Sequence, residues 1–191
     1  MVKKLVGIIG YPIEHSLSPE LHNAAFKALN LNWLYLAFAV KPKAVKAAVN
    51  GLKALNFVGF NVTLPHKQAV AKLVDELKPE AKLAQAVNTV KIKDEKLIGY
   101  NTDISGFLAS LNEIQFNPRG KVALLIGAGG AAFSVAVALA QAKIAKIMVL
   151  NRTITKAENL KRRLAQNFSL AVTVVKETED VASFIDEVDL I

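Results

Sequence analysis

The apolar and polar positions switch between two periods along the chain. Leu5–Ile9 is a short apolar run ending at Gly10 and predicts a strand. Tyr11–His15 reads as a loop. Pro19–Asn30 then carries apolar residues at Leu21, Ala24, Ala25, Ala28 and Leu29, the spacing of one helix face. Ser18 before Pro19 reads as an N-cap with Pro at the first helical position. That reading leaves Ser16 as a second hydroxyl near the same helix start. Trp33–Val40 predicts a strand, Pro42–Leu55 a helix and Phe57–Val62 a strand. Leu64-Pro65-His66-Lys67 turns into a helix expected to run to about Lys78. Three such alternations predict an α/β layer with parallel strands. Val87–Lys93 and Lys96–Tyr100, joined at Asp94-Glu95, predict a hairpin. Asn101-Thr102-Asp103 precedes a helix from Ile104 to about Asn112.

Asn117-Pro118-Arg119-Gly120 is the clearest loop. Val122–Ile126 after it is continuously apolar and partly β-branched, as for a strand buried on both faces of a parallel sheet. Ala131–Ala142 is apolar nearly all round, which suits a helix packed tightly on a sheet. Ile147–Leu150 predicts a strand, Lys156–Phe168 a charged amphipathic helix and Ala171–Val175 another strand. A short helix is expected near Val181–Phe184, and Asp189-Leu190-Ile191 reads as the opening of a further strand. The predicted fold is therefore α/β: an α/β domain over residues 1–103, then a Rossmann-type nucleotide-binding domain over 104–191, incomplete at its C-terminal end. The expectation at this stage is a truncated chain.

Composition narrows the function classes. Hydrophobic residues make up 52% of the 191, enough for real cores. No apolar run approaches membrane-spanning length, and Met1-Val2-Lys3-Lys4 leads straight into a strand, so neither membrane nor signal peptide is expected. The absence of Cys excludes disulfides and thiolate metal sites and fits a cytoplasmic location. His15, His22 and His66 lack metal-ligand spacing, so no metal is expected. The net charge is +8, mostly from residues 1–103. Its lysines are scattered singly, without a basic cluster or aromatic platform. That argues against nucleic acid and suits attraction of a small anionic substrate. Nothing in the pattern specifies an oligomeric state.

The candidate chemistry begins at Gly127-Ala128-Gly129-Gly130-Ala131, between a strand and a helix. The first glycine permits a tight turn and the second lets a pyrophosphate approach the backbone. The opening helix points N–H groups and its positive dipole end at that phosphate. A structural glycine turn is the alternative; the strand–turn–helix–strand context favours dinucleotide binding. At the end of the next strand an NAD site carries Asp or Glu. Here Asn151-Arg152-Thr153 stands there, with Lys156 close behind. These cations would attract a 2′-phosphate, so NADP is favoured over NAD. The bland alternative makes Arg152 a solvated charge and Thr153 a helix N-cap.

In the first half, Asn61 and Thr63 end a strand, and ligands bind at the carboxyl edge of such sheets. Lys67 falls in the first turn of a helix, where a cation opposes the helix dipole, a placement that suits proton transfer. Asp103 opens another helix, where a carboxylate is favoured as a plain cap in any case. Asn88 interrupts a strand-like run, unusual for a residue of low β-propensity.

Taken in order, these residues resemble the shikimate dehydrogenases over essentially the whole chain. The resemblance rests on His15-Ser16-Leu17-Ser18-Pro19, Asn61-Val62-Thr63-Leu64-Pro65-His66-Lys67, Ala86-Val87-Asn88-Thr89 and Gly99-Tyr100-Asn101-Thr102-Asp103. It continues with Gly127-Ala128-Gly129-Gly130-Ala131 and Asn151-Arg152-Thr153. The resemblance implies a two-domain enzyme reducing 3-dehydroshikimate to shikimate, reversibly, with NADPH. It implies that Ser16 and Ser18 hold the substrate carboxylate and that Asn61, Thr63, Asn88 and Asp103 surround its hydroxyls. Lys67 would be the catalytic acid or base, with Asp103 as its partner. Three departures from the family pattern stand out. Phe133 replaces a common Arg, which predicts the loss of a phosphate-side cation. Lys156 replaces another Arg, which weakens bidentate grip on the 2′-phosphate. The third is the end of the chain, since relatives continue with helices that return to the first domain and with a substrate-binding Gln. Two alternatives accompany this reading: a binding-only relative that holds NADP or substrate without turnover, and a quinate enzyme using NAD.

Overall fold

The computed structural model describes residues 3–175 and 183–191. The chain forms two compact units, Met1–Thr102 and Asp103–Ile191. Unit 1 contains β1 (Lys4–Gly10), α1 (Ser18–Ala28), β2 (Trp33–Ala39), α2 (Val45–Ala54), β3 (Gly59–Val62), α3 (Lys67–Ala71), β4 (Glu76–Leu77), α4 (Pro79–Ala84), β5 (Thr89–Lys93) and β6 (Lys96–Tyr100). Its six strands lie in the order β2-β1-β3-β5-β6-β4. One core, with Ile9, Val49, Phe60, Val62, Val70 and Val90, lies under α2 and α3. A second, with Ile8, Ile13 and Tyr35, lies against Phe26 of α1.

The parallel expectation holds only for part of this sheet. β1 pairs in parallel with β2 and β3, but β5 runs antiparallel to both β3 and β6. The β5–β6 hairpin itself is as expected. Asp94 and Glu95 have φ of 49° and 60°, the left-handed pair whose twist matches the flanking strands. The helix expected from Lys67 to about Lys78 is only five residues long. Non-local pairing overrides its helical period: Asp75 N–H donates to Leu97 O, Lys78 N–H to Gly99 O, and the Asp75 carboxylate accepts from Leu97 N–H at 2.7 Å. Pro79 then starts α4.

Unit 2 contains α5 (Asp103–Glu113), β7 (Val122–Ile126), α6 (Gly130–Gln141), β8 (Lys146–Leu150), α7 (Ile154–Ala165) and β9 (Ala171–Val175). The three strands are parallel in the order β7-β8-β9. This is the Rossmann-type α/β arrangement that the alternation predicts. α6 buries Phe133, Ser134, Ala136, Val137, Ala138 and Leu139, which explains its apolar character all round. The strand expected at Asp189 begins as a single parallel bridge between Leu190 and Ala123. Leu124 N–H donates to Leu190 O at 2.8 Å, so the segment adds beside β7, which pairs with β8 on its other edge. The helix expected near Val181–Phe184 begins outside the described residues; a short 3-10 turn occupies Ile185–Glu187. Among the described residues no helix is long and apolar enough to cross a membrane.

Candidate active site

In unit 1 the parallel pairing of β1 and β3 brings their carboxyl ends to one sheet edge. The antiparallel β5 starts at that edge and β6 ends there, with Asn61 opposite Thr89 and Thr89 opposite Tyr100. The loop carrying Ser16 and Ser18, the Thr63–Lys67 segment, Asn88 and Thr102 therefore gather at this edge. Backbone bonds pin the loops: Thr63 N–H donates to Ile9 O, Tyr11 N–H to Leu64 O, and Val87 N–H to Lys67 O. His66, before Lys67, is buried, with Nε2 at 2.6 Å from Val40 O. A carbonyl only accepts, so that nitrogen carries the proton.

The polar side chains at the edge form one connected network. Tyr35 OH donates to Asn61 Oδ1 at 2.7 Å. Asn61 Nδ2 donates to Thr89 Oγ1 at 3.0 Å and to Asn88 O at 3.3 Å. Thr89 Oγ1 donates to Asn88 Oδ1 at 3.0 Å, and Asn88 Nδ2 to Thr102 Oγ1 at 2.9 Å. Burial pushes the Tyr35 hydroxyl up to about 12, against the opposing effect of a hydrogen bond from Ser18. Ser18 N–H also reaches Ser16 Oγ at 3.3 Å.

Several local expectations change here. Ser18 is the first residue of α1, not its cap; Leu17 holds the cap position without a side-chain bond, and the Ser18 hydroxyl is engaged with Tyr35. Asn88 does not interrupt β5 but precedes it, where its amide ties the ends of β5 and β6 together. Lys67 does open a helix, but one so short that little more than one turn of dipole opposes it. Asp103 is the first residue of α5 and belongs to unit 2. The sequence does not single out Tyr35, and it assigns no role to Thr89 and Thr102 although both stand in the resembling motifs. A hydroxyl within the apolar run of β2 was the available signal for Tyr35, and the strand preference of Thr masked Thr89.

In unit 2, Gly127 follows β7 with φ of 112°, which requires glycine, and Gly129 holds the N-cap position of α6. A Cβ on Gly127, Gly129 or Gly130 would meet nothing within 4 Å among the described residues. Internal packing thus does not demand Gly129 or Gly130, whereas a ligand approaching the backbone would. Ala128 completes the loop, Ala131 lies in the first turn of α6, and Ile126 before the loop is 66% exposed. This bare cradle at a twelve-residue helix start fits a pyrophosphate. Beyond β8, Asn151 Nδ2 donates to Thr153 O at 2.7 Å and shapes the turn into α7. Thr153 holds the N-cap position without a side-chain bond, and Arg152 and Lys156 are exposed. Phe133 lies in the core. It is 2% exposed, and the Arg163 guanidinium stacks 3.6 Å from its ring centre.

Both units match known families. Residues 8–90 match the shikimate dehydrogenase substrate binding domain, and residues 110–191 match the shikimate / quinate 5-dehydrogenase family. A shikimate dehydrogenase (NADP(+)) of Desulforamulus reducens is 48% identical over 90% of this chain, which spans 60% of that relative's length. The crystal structure of shikimate dehydrogenase from Aquifex aeolicus superposes with a TM-score of 0.88 at 40% identity, covering 98% of this chain and 67% of that one. The structure of shikimate 5-dehydrogenase from Thermus thermophilus in complex with NADP(H) and shikimate gives 0.79 at 35% identity, covering 89% and 62%. With both units matched in order and the solved relatives superposing through them, the chain belongs to the shikimate dehydrogenase family.

Proposed function

We propose that the chain binds shikimate in unit 1 and NADP in unit 2, and that its enzyme interconverts 3-dehydroshikimate and shikimate. The observation that carries this reading is the hydrogen-bonded edge of Tyr35, Asn61, Thr89 and Asn88 in a member of this family. The name of the Desulforamulus reducens relative and the ligands of the Thermus thermophilus structure support the same pair of small molecules. The substrate part is residues 1–103, Asp103 included although it opens the first helix of unit 2; the cofactor part is 104–191.

Ser16 and Ser18 would hold the carboxylate, since two hydroxyls at a helix start can both turn protons to it. Asn61, Thr63, Asn88 and Asp103 would read the ring hydroxyls. Lys67 would donate a proton to the carbonyl oxygen during reduction and take it back in the reverse direction. Asp103 would hold the reacting hydroxyl. NADPH, when bound, supplies the hydride. The backbone of Gly127, Ala128, Gly129, Gly130 and Ala131 would receive the pyrophosphate. Asn151, Arg152, Thr153 and Lys156 would surround the adenosine 2′-phosphate, where a carboxylate would repel it. No nucleic acid or membrane partner enters this reading, and a cytoplasmic place suits a chain without Cys.

The test follows NADPH and NADH oxidation with 3-dehydroshikimate and with 3-dehydroquinate, beside calorimetric binding of NADP and shikimate. NADPH oxidation by 3-dehydroshikimate supports the proposal. NADH oxidation by 3-dehydroquinate makes the chain a quinate enzyme. Binding of either ligand without turnover makes it a binding-only relative.

A further inference from the structure

The polarity of the edge network is set by two backbone groups. Thr102 N–H donates to Asn88 Oδ1 at 3.0 Å, and an N–H can only donate. The Asn88 amide is thereby oriented, and Thr89 must give its own proton to Asn88 Oδ1. Thr89 Oγ1 then accepts from Asn61 Nδ2. Asn88 O, which can only accept, takes a second bond from the same Nδ2. Both Nδ2 protons of Asn61 are so committed, and its Oδ1 is turned to Tyr35.

Tyr35 is held for this task from three sides. Asn23 of α1 clamps its backbone, Nδ2 donating to Tyr35 O at 3.0 Å and Oδ1 accepting from Tyr35 N–H at 2.9 Å. The His22 ring stacks on the phenol ring at 4.3 Å between centroids, tilted by 9°. The residue is 3% exposed, so its hydroxyl has no solvent to turn to.

We infer that Tyr35 is a positioning residue for the substrate edge. Its hydroxyl proton locks the Asn61 amide so that Oδ1 keeps one lone pair for a ligand hydroxyl. That bond keeps the Tyr35 proton on Asn61. Tyr35 thus sets the residue expected at the hydroxyls. The inference rests on the reading of unit 1 as a shikimate site.

The decisive variant is Tyr35→Phe, which keeps the ring, the His22 stack and the Asn23 clamp and removes only the hydroxyl. The expected result is shikimate binding weakened by about tenfold, the scale of one buried hydrogen bond, with NADP affinity within about twofold of the unaltered chain. In an Asn61→Ala background the same change should add less than about twofold, because the group it orients is gone. The Asn61 side-chain amide resonances, read by NMR without ligand, should shift and exchange faster in Tyr35→Phe. Unchanged shikimate affinity, additive losses in the double variant, or unmoved Asn61 resonances overturns the inference. Failure of the unaltered chain to bind shikimate overturns the site reading instead; the Asn61 resonances still decide whether Tyr35 sets that amide.

Discussion

Gly10 ends β1 directly beneath Thr63, and replacing it with Ala tests how tightly the edge is built. A Cβ at Gly10 would lie 2.5 Å from Thr63 Cγ2, 2.9 Å from Ile13 Cδ1 and 3.3 Å from Leu64 O. Non-bonded carbons rest at about 3.5–4.0 Å, so the first overlap alone is about 1 Å. The backbone has little room to withdraw. Val40 N–H donates to Gly10 O at 2.9 Å, Tyr11 N–H to Leu64 O at 2.9 Å, and Thr63 N–H to Ile9 O at 3.0 Å. The Thr63 side chain must therefore turn and carry its hydroxyl with it. Overpacking of this kind costs about 1–3 kcal/mol, which lowers the melting midpoint of a unit this size by at least about 4 °C. Shikimate binding should weaken by about tenfold if Thr63 holds a substrate hydroxyl. Gly51→Ala is the internal control. It lies within α2, meets nothing within 4 Å and should raise stability by about 0.5–1 kcal/mol through backbone entropy. Thermal unfolding by circular dichroism and titration calorimetry with shikimate read both effects. A Gly10→Ala chain with unaltered midpoint and affinity, or a Gly51→Ala chain that loses stability as much, would refute the contact argument.

Three further outcomes follow from the same geometry. Lys67→Ala should lower turnover by about 10²-fold or more while leaving NADP affinity in place; near-normal turnover would make Lys67 a surface charge. Arg152→Ala should narrow the preference for NADP over NAD in calorimetric titrations, and equal affinities before the change would remove the basis for it. The third concerns pH. The Lys121 ammonium, 2.7 Å away, and then the Val122 N–H hold the Asp189 carboxyl below its ordinary value of 3.8. A depressed carboxyl stabilises above its unfolded value and loses that contribution as pH falls through its folded one. Protection of the Leu124 N–H from exchange should therefore be greater in the native sequence than in Asp189→Asn at neutral pH, and the two should converge well below pH 3.8. Equal protection at neutral pH would detach Asp189 from the docking of this segment.

Local signals carried the parts of the fold whose contacts are local in kind. The run Val122–Ile126, the glycine loop and the all-round apolar α6 could be placed because a doubly covered parallel strand and its crossover helix have few alternatives. The hairpin at Asp94-Glu95 was legible for the same reason. The segment after Lys67 was not. Its apolar spacing suits a helix, but Asp75 and Lys78 find their backbone partners on β6, some twenty residues further on, and no local period reports that. The site divides likewise. Asn61 and Asn88 were visible as polar residues at strand positions and Ser16 as a hydroxyl that the cap reading left over, whereas Ser18 passed for an ordinary cap. Tyr35 and Thr89 look like ordinary strand residues until the pairing of β3 with β5 sets Asn61 beside Thr89, and α1 folds back onto β2.

Phe133 adds a packing consequence to a change that the family pattern reads only as a lost cation. An Arg replaced by Phe near a glycine loop reads as a cation subtracted from the phosphate side. In the folded chain the ring faces the core and is almost fully covered, with Arg163 of α7 laid on its face at 3.6 Å. Burial there holds the guanidinium below its ordinary value, and an arginine stays charged in a protein, so the stacked group is a cation over a ring face. The substitution is then first a packing change between α6 and α7, not simply a charge deletion at the ligand. The proposed phosphate side presents the open backbone of Gly127–Gly130 and, past β8, the exposed Arg152 and Lys156. In the proposed reading, cofactor discrimination falls to the turn that Asn151 shapes, because Arg152 and Lys156 stand exposed there.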